Sequence, residues 1–146
     1  MAALFPILVV LLAGIGLAIQ PPTNATLVKA SGSLWLGALV SFAVGTIVLF
    51  AIWAATDRTS PAALKGAPGW AWLGGLYGAC FVAALAYATP RLGLASALTL
   101  AVASQLVTAL ILDRFGLLGL SQHPITLARV AGVALMIGGV ILVRAG

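Results

Sequence analysis

The chain has 146 residues, of which 63% are hydrophobic and only 6% are charged. Soluble domains carry about 25% charged residues, so this composition excludes a water-soluble domain and predicts an all-α, polytopic integral membrane protein. The net charge of +5 does not indicate nucleic-acid binding, because the basic residues are scattered one or two per loop and form no patch.

Five apolar segments of about 16 to 25 residues are each long enough to cross a bilayer once. They span residues 4–28, 33–56, 70–89, 92–112 and 128–143. Because the connections between them are short, we expect one transmembrane domain over residues 1–146. The alternative for the first segment is a cleaved signal peptide, but no basic residue precedes Lys29 and the apolar run is long.

The first segment contains the unusual run Gln20-Pro21-Pro22-Thr23-Asn24. Two prolines remove two backbone donors and leave the carbonyls of Leu17 and Ala18 without their usual helical partners. Freed carbonyls at membrane depth need protein or a watery cavity around them. Gln20 and Asn24 share a helix face, so they are candidates to line such a cavity; the alternative is a kink at the membrane edge where both are hydrated.

Small residues recur four apart in the second and third segments, at Ser33, Gly37, Ser41 and Gly45 and at Gly74 and Gly78. Such spacing lets helices approach closely in lipid. Packing within one protomer is the favoured interpretation, and a contact with a second protomer is the alternative.

Tyr77 and Tyr87 lie on one stripe of the third segment, where they could line a pocket or serve as ordinary packing or interfacial aromatics. In the fourth segment Gln105, with Ser104 beside it, is a costly residue to place in lipid. It should face other protein or a cavity, although a simple interhelical hydrogen bond would also explain it. Asp113, at the end of this segment, is expected to pair with neighbouring arginines.

No charged residue lies in the middle of any segment, whereas proton-coupled exchangers of cations usually keep a carboxylate there. No metal cluster, nucleophile–base pair or phosphate-binding glycine motif is present in the sequence. We therefore expect no enzyme activity, no metal and no cofactor.

With five helices, one side of the membrane would hold four basic residues and the other three. The first set is Arg58, Lys65, Arg114 and Arg129, and the second is Lys29, Arg91 and Arg144. Basic residues set orientation, so this near balance predicts insertion in both orientations and an inverted-repeat, antiparallel homodimer. The alternative is a weak bias in a singly oriented protein.

The chain resembles the YdcZ-like family of small bacterial inner-membrane proteins, five-helix members of the drug/metabolite transporter superfamily. The resemblance is carried by Gly16-Leu17-Ala18-Ile19-Gln20 with Asn24, Ser41-Phe42 with Gly45-Thr46, Trp72-Leu73-Gly74-Gly75 with Gly78, Pro90-Arg91-Leu92-Gly93, Gln105, and Leu112-Asp113 with Phe115-Gly116. Its last helix, Gly132 to Val140, is similar to the dimer-forming helix of small multidrug resistance proteins.

This resemblance implies half of a ten-helix inverted-repeat transporter, working as an antiparallel pair. It implies that helices one, three and four line the substrate chamber while helix five holds the pair together. The first helix carries Gln20 and no membrane glutamate, so the proton-for-cation exchange of the small multidrug resistance proteins is not carried over. Ser104 stands where the family would have glycine.

The residues themselves predict a membrane bundle with a polar interior, in contact with lipid. The resemblance implies that this bundle is a transporter of the inner membrane, and we expect an exporter of a small metabolite or amphiphile that works by alternating access. The predicted substrate-contacting residues are Gln20, Asn24, Tyr77, Tyr87, Ser104 and Gln105. The alternative from another class is a non-transporting membrane scaffold or accessory subunit.

Overall fold

The computed structural model describes residues 4–145, and among them it contains five α-helices and three short 3₁₀ turns. The helices are α1 (Leu4–Ser31), α2 (Leu34–Thr56), α3 (Gly74–Leu92), α4 (Leu94–Phe115) and α5 (Leu127–Ala145). All five are long and apolar enough to cross a bilayer, which confirms the predicted five-helix, all-α membrane architecture. They fall into two compact units, one ending at Arg91 and the other beginning at Leu92.

The largest differences from the predicted bounds concern α3. Residues Gly69–Leu73, which include two tryptophans, form a 3₁₀ turn before α3 instead of its first turn. At the other end α3 continues through Pro90, which the sequence had suggested as a connection. The cost of that proline is small because only the carbonyl of Ala86 loses a donor and the helix ends two residues later. Gly93, with φ 80° and ψ 151°, then separates α3 from α4.

Helix α1 continues without interruption through Pro21 and Pro22. The hydroxyl of Thr23 donates to the carbonyls of Ile19 and Gln20, at 3.0 and 2.8 Å, in the turn where the prolines cannot donate. Side-chain bonds of this kind to the preceding turn accompany bends in helices. Pro21 is fully buried, so the proline turn of α1 faces protein.

In the first unit, α1 and α2 approach closely where Gly37 faces Val28. A β-carbon built on Gly37 would lie 2.7 Å from Val28 Cγ2 and 3.0 Å from its backbone nitrogen. Ser33 begins α2, and its side-chain oxygen accepts from the backbone N–H of Leu36 at 3.2 Å. One member of the predicted small-residue ladder thus permits a close contact within the protomer, whereas Gly45 has open space around it.

A small apolar cluster joins α2 to α3 within the same unit. Ala38 from α2 packs with Val82 and Ala83 from α3, and Leu34 and Phe42 complete the cluster. The buried core of this unit consists mainly of small side chains, and most of its larger apolar side chains face outward. This distribution is expected for helices surrounded by lipid.

The second unit consists of α4 and α5, joined by a loop that satisfies the end of α4. Gly116, at φ 60°, caps α4 in the left-handed conformation, and its N–H donates to the carbonyl of Leu112. The N–H of His123 donates to the carbonyl of Asp113 at 2.9 Å. Carbonyls in the last turn of a helix need such partners, so this loop is a structural cap for α4.

Candidate functional site

The two predicted site residues of α1 lie on one face, one turn apart, around the proline pair. Gln20 is half-buried, and Asn24 is only 3% exposed. The Nδ2 group of Asn24 has no hydrogen-bond partner among the described residues. Buried amides are almost always hydrogen-bonded, so this donor requires an acceptor from water, a ligand or another chain.

The two tyrosines of α3 lie on the face opposite its packed side. Val82, Ala83 and Ala86 are buried, whereas Tyr77 and Tyr87 are both more than half exposed. The guanidinium of Arg91 lies over the ring of Tyr87, 3.6 Å from its centroid, and donates to the Tyr87 carbonyl at 2.6 Å. One π face of Tyr87 is therefore already occupied by a cation.

A cavity of about 490 Å³ lies between the C-terminal parts of α1 and α3. Its lining residues include Thr26, Lys29, Leu34, Tyr87, Pro90 and Arg91. We call it the basic cavity, because Lys29 and Arg91 are its two charged lining residues and it has no acidic one. Of the six predicted site residues, only Tyr87 lines it.

On α4, both Ser104 and Gln105 are exposed. Ser104 donates its hydroxyl to the carbonyl of Ala101 at 2.8 Å, and it lines a groove of about 450 Å³ against α5. The other lining residues are Leu100, Ala103, Val107, Thr108, Ile137 and Val140, so Gln105 is not among them. The structure brings Ser104, but not its neighbour, to this largely apolar groove.

A second groove between α4 and α5, of about 380 Å³, ends at an ion pair. Arg129 donates to Asp113 Oδ2 at 3.2 Å, and about a third of each side chain is exposed. This pair confirms that Asp113 engages an arginine, and the partner lies 16 residues along the chain, across the α4–α5 loop.

Two features of the first unit were missed by reading the sequence. Lys29 and Arg91 had been considered only as basic residues that set orientation, and Thr89 was not considered. Thr89 Oγ1 is a buried polar atom with no partner among residues 4–145. One signal was available: the count of basic residues had already assigned Lys29 and Arg91 to the same side of the membrane, and each lies in the last turn of its helix.

Among residues 4–145, no group of three or more His, Cys, Asp or Glu side chains is placed to hold a metal ion. The chemistry offered by the predicted residues is hydrogen bonding by amides and hydroxyls, beside aromatic surface. Such groups bind and orient a molecule, and this set contains no nucleophile paired with a base.

Five helices that are each long and apolar enough to cross a bilayer define a multi-pass membrane protein. The family model described as "Putative inner membrane exporter, YdcZ" matches residues 5–142. The chain belongs to this family and is a multi-pass inner-membrane protein. Comparisons with curated proteins and with solved structures found no match.

Proposed function

We propose that the protein exports a small metabolite or amphiphile by alternating access, as an antiparallel homodimer. Membership of a family of inner-membrane exporters supports export. The observation that carries the proposal is the buried amide of Asn24 with an unpartnered donor. Leaving such a donor unsatisfied costs about 1–3 kcal/mol, which a protein with a purely structural interior could avoid with an apolar residue.

The proposed substrate contacts are neutral. Amides at Gln20, Asn24 and Gln105 offer both donors and acceptors, and the Ser104 hydroxyl adds a further group. Tyr77 and Tyr87 offer aromatic edges and phenolic hydroxyls. Hydrogen bonds to a substrate in a site shielded from water contribute selectivity, because an analogue without the matching group leaves an amide unpaired.

The antiparallel dimer is supported by the near-even distribution of basic residues and by the surface of α5. Leu135, Ile141 and Leu142 of that helix are all strongly exposed. Gly132 and Gly139 have open space at their β positions, so the backbone of α5 is accessible to a close helix contact.

The decisive test is substrate flux in proteoliposomes. Gln20→Leu, Asn24→Leu and Gln105→Leu should each abolish saturable flux while the protein still assembles, because each removes a proposed contact. Thr99→Val is the matched control: it also removes a polar group, but the Thr99 hydroxyl is already bonded to the carbonyl of Ala95 at 2.9 Å. Flux that survives all three leucine variants would reject the assignment, and conductance without saturation would indicate a channel.

Reporter fusions at the C-terminal end test the orientation. An antiparallel dimer requires reporter activity on both sides of the membrane, and lysines added to one loop should shift the balance. Reporter activity on one side alone would reject dual orientation. In the flux assay, a protein that assembles but transports nothing would instead be a scaffold or accessory subunit.

A further inference from the structure

We propose that the basic cavity is a binding site for an anion carried on an apolar body, such as a phosphate group on an aryl or alkyl chain. That the bound anion is the exported cargo rests on the function proposed above. That the cavity binds an anion depends on the first unit alone, because every lining residue belongs to α1, α2, α3 or the α1–α2 turn.

The first argument is charge. Lys29 and Arg91 both line the cavity, and the only two acidic residues of the chain are engaged elsewhere. Asp57 follows α2 and accepts a hydrogen bond from the hydroxyl of Thr59. Asp113 pairs with Arg129 in the other unit. Two cations that line one cavity attract an anion and repel a cation.

The second argument concerns the aromatic face. A cationic substrate is attracted to the π face of a tyrosine, but Arg91 covers one face of Tyr87 and its charge repels a second cation beside the ring. The arrangement also fixes the guanidinium, because Arg91 donates to the Tyr87 carbonyl at 2.6 Å. A guanidinium held in this way retains further N–H donors for a phosphate or carboxylate.

The third argument is the wall between the two cations. Leu34, Val28, Ala86 and Pro90 supply apolar surface, and Thr26 directs its hydroxyl to the carbonyl of Pro22 at 2.9 Å rather than to a ligand. An apolar wall beside two cations complements a molecule with an anionic group and a hydrophobic body. A strongly hydrated inorganic anion would gain nothing from that wall.

Binding to protein in nanodiscs of zwitterionic lipid tests the site without requiring transport. The probes are radiolabelled 1-naphthyl phosphate and, as a ring-matched cation, 1-naphthylmethylammonium. We expect the phosphate to bind at least tenfold more tightly than the cation. Lys29→Gln and Arg91→Gln should each weaken phosphate binding about tenfold, which corresponds to about 1.4 kcal/mol. Lys29→Arg should restore it.

Arg144→Gln is the matched control, because Arg144 also lies in the last turn of a membrane helix but does not line the cavity. It should change the affinity less than twofold. Equal binding of the two probes, or equal effects of Lys29→Gln and Arg144→Gln, would overturn the proposal, provided that size-exclusion chromatography shows intact protein.

Adding phosphatidylglycerol to the nanodiscs distinguishes two sources of the anion. Competition with naphthyl phosphate would identify a lipid headgroup as the occupant, and absence of competition would identify a free amphiphile. Flux measurements separate this inference from the export proposal. Charge-selective binding without flux would support the anion site and reject export. Flux of the ammonium probe, with no effect of Lys29→Gln, would support export and reject the anion site.

Discussion

Replacing Gly37 by alanine should destabilise the first unit because the added methyl group has no room at the α1–α2 contact. It would lie 2.7 Å from Val28 Cγ2, 3.0 Å from the Val28 nitrogen and 3.2 Å from its Cα. The side-chain methyl can rotate away, but the backbone atoms move only if the helices separate. Overpacking of this kind costs about 1–3 kcal/mol, and the backbone contacts favour the middle of that range.

The measurement is the free energy of unfolding in mixed micelles titrated with dodecyl sulfate, followed by fluorescence of the four tryptophans. We expect Gly37→Ala to lower the unfolding free energy by about 2 kcal/mol. Adding Val28→Ala should restore only part of it, because the contacts with the Val28 backbone persist. Gly45→Ala is the control on the same helix, where nothing lies within 4 Å. If the two glycine variants are equally stable, the close contact is not what holds α1 against α2.

Two further predictions concern the second unit and use the same unfolding measurement. Gly116→Ala should be more destabilising than Gly119→Ala. Both glycines have positive φ, which costs alanine about 1–2 kcal/mol. Only at Gly116 would the new methyl group also meet a backbone oxygen, that of Leu120, at 3.1 Å. Equal losses would show that conformation alone decides. For the ion pair, a double-mutant cycle with Asp113→Asn and Arg129→Gln should give a coupling energy below about 1 kcal/mol, because a third or more of each side chain is exposed. A coupling energy above about 2 kcal/mol would contradict this prediction.

The membrane architecture was predictable because it depends on local composition. Uncharged runs of bilayer length identify helices wherever the chain places them. The end of α3 was less predictable. Pro90 usually marks a boundary, yet a proline near the last turn loses only one hydrogen bond, so helix geometry tolerated it here.

The candidate site was harder to predict because it depends on which helix faces meet. The periodicity of α1 placed Gln20 and Asn24 on one face, but it could not show that Asn24 would be buried and Gln20 only half so. Lys29 and Arg91 are 62 positions apart, and only the folding of the first unit brings both to one cavity. Of the glycines, Gly37 and Gly78 have near neighbours whereas Gly45 and Gly74 do not, a distinction that their shared spacing conceals.

The two proposals make a joint demand on the first unit. If anions enter at Lys29 and Arg91, then selection by charge occurs near the end of α1, about one and a half turns beyond Asn24. The polar groups that precede Lys29 on α1, Gln20 and Asn24, carry no charge. A fixed cation at their position would slow the release of a bound anion, and none is present there. The unpartnered Nδ2 of Asn24 can donate to an anion, and this bond is weaker than an ion pair of the same geometry. Asn24→Asp therefore separates a role of Asn24 in anion transport from a structural role. If Asn24 contacts the anion, a carboxylate at this position should reduce anion flux even with Lys29 and Arg91 intact. If Asn24 is purely structural, the variant should instead reduce the amount of folded protein.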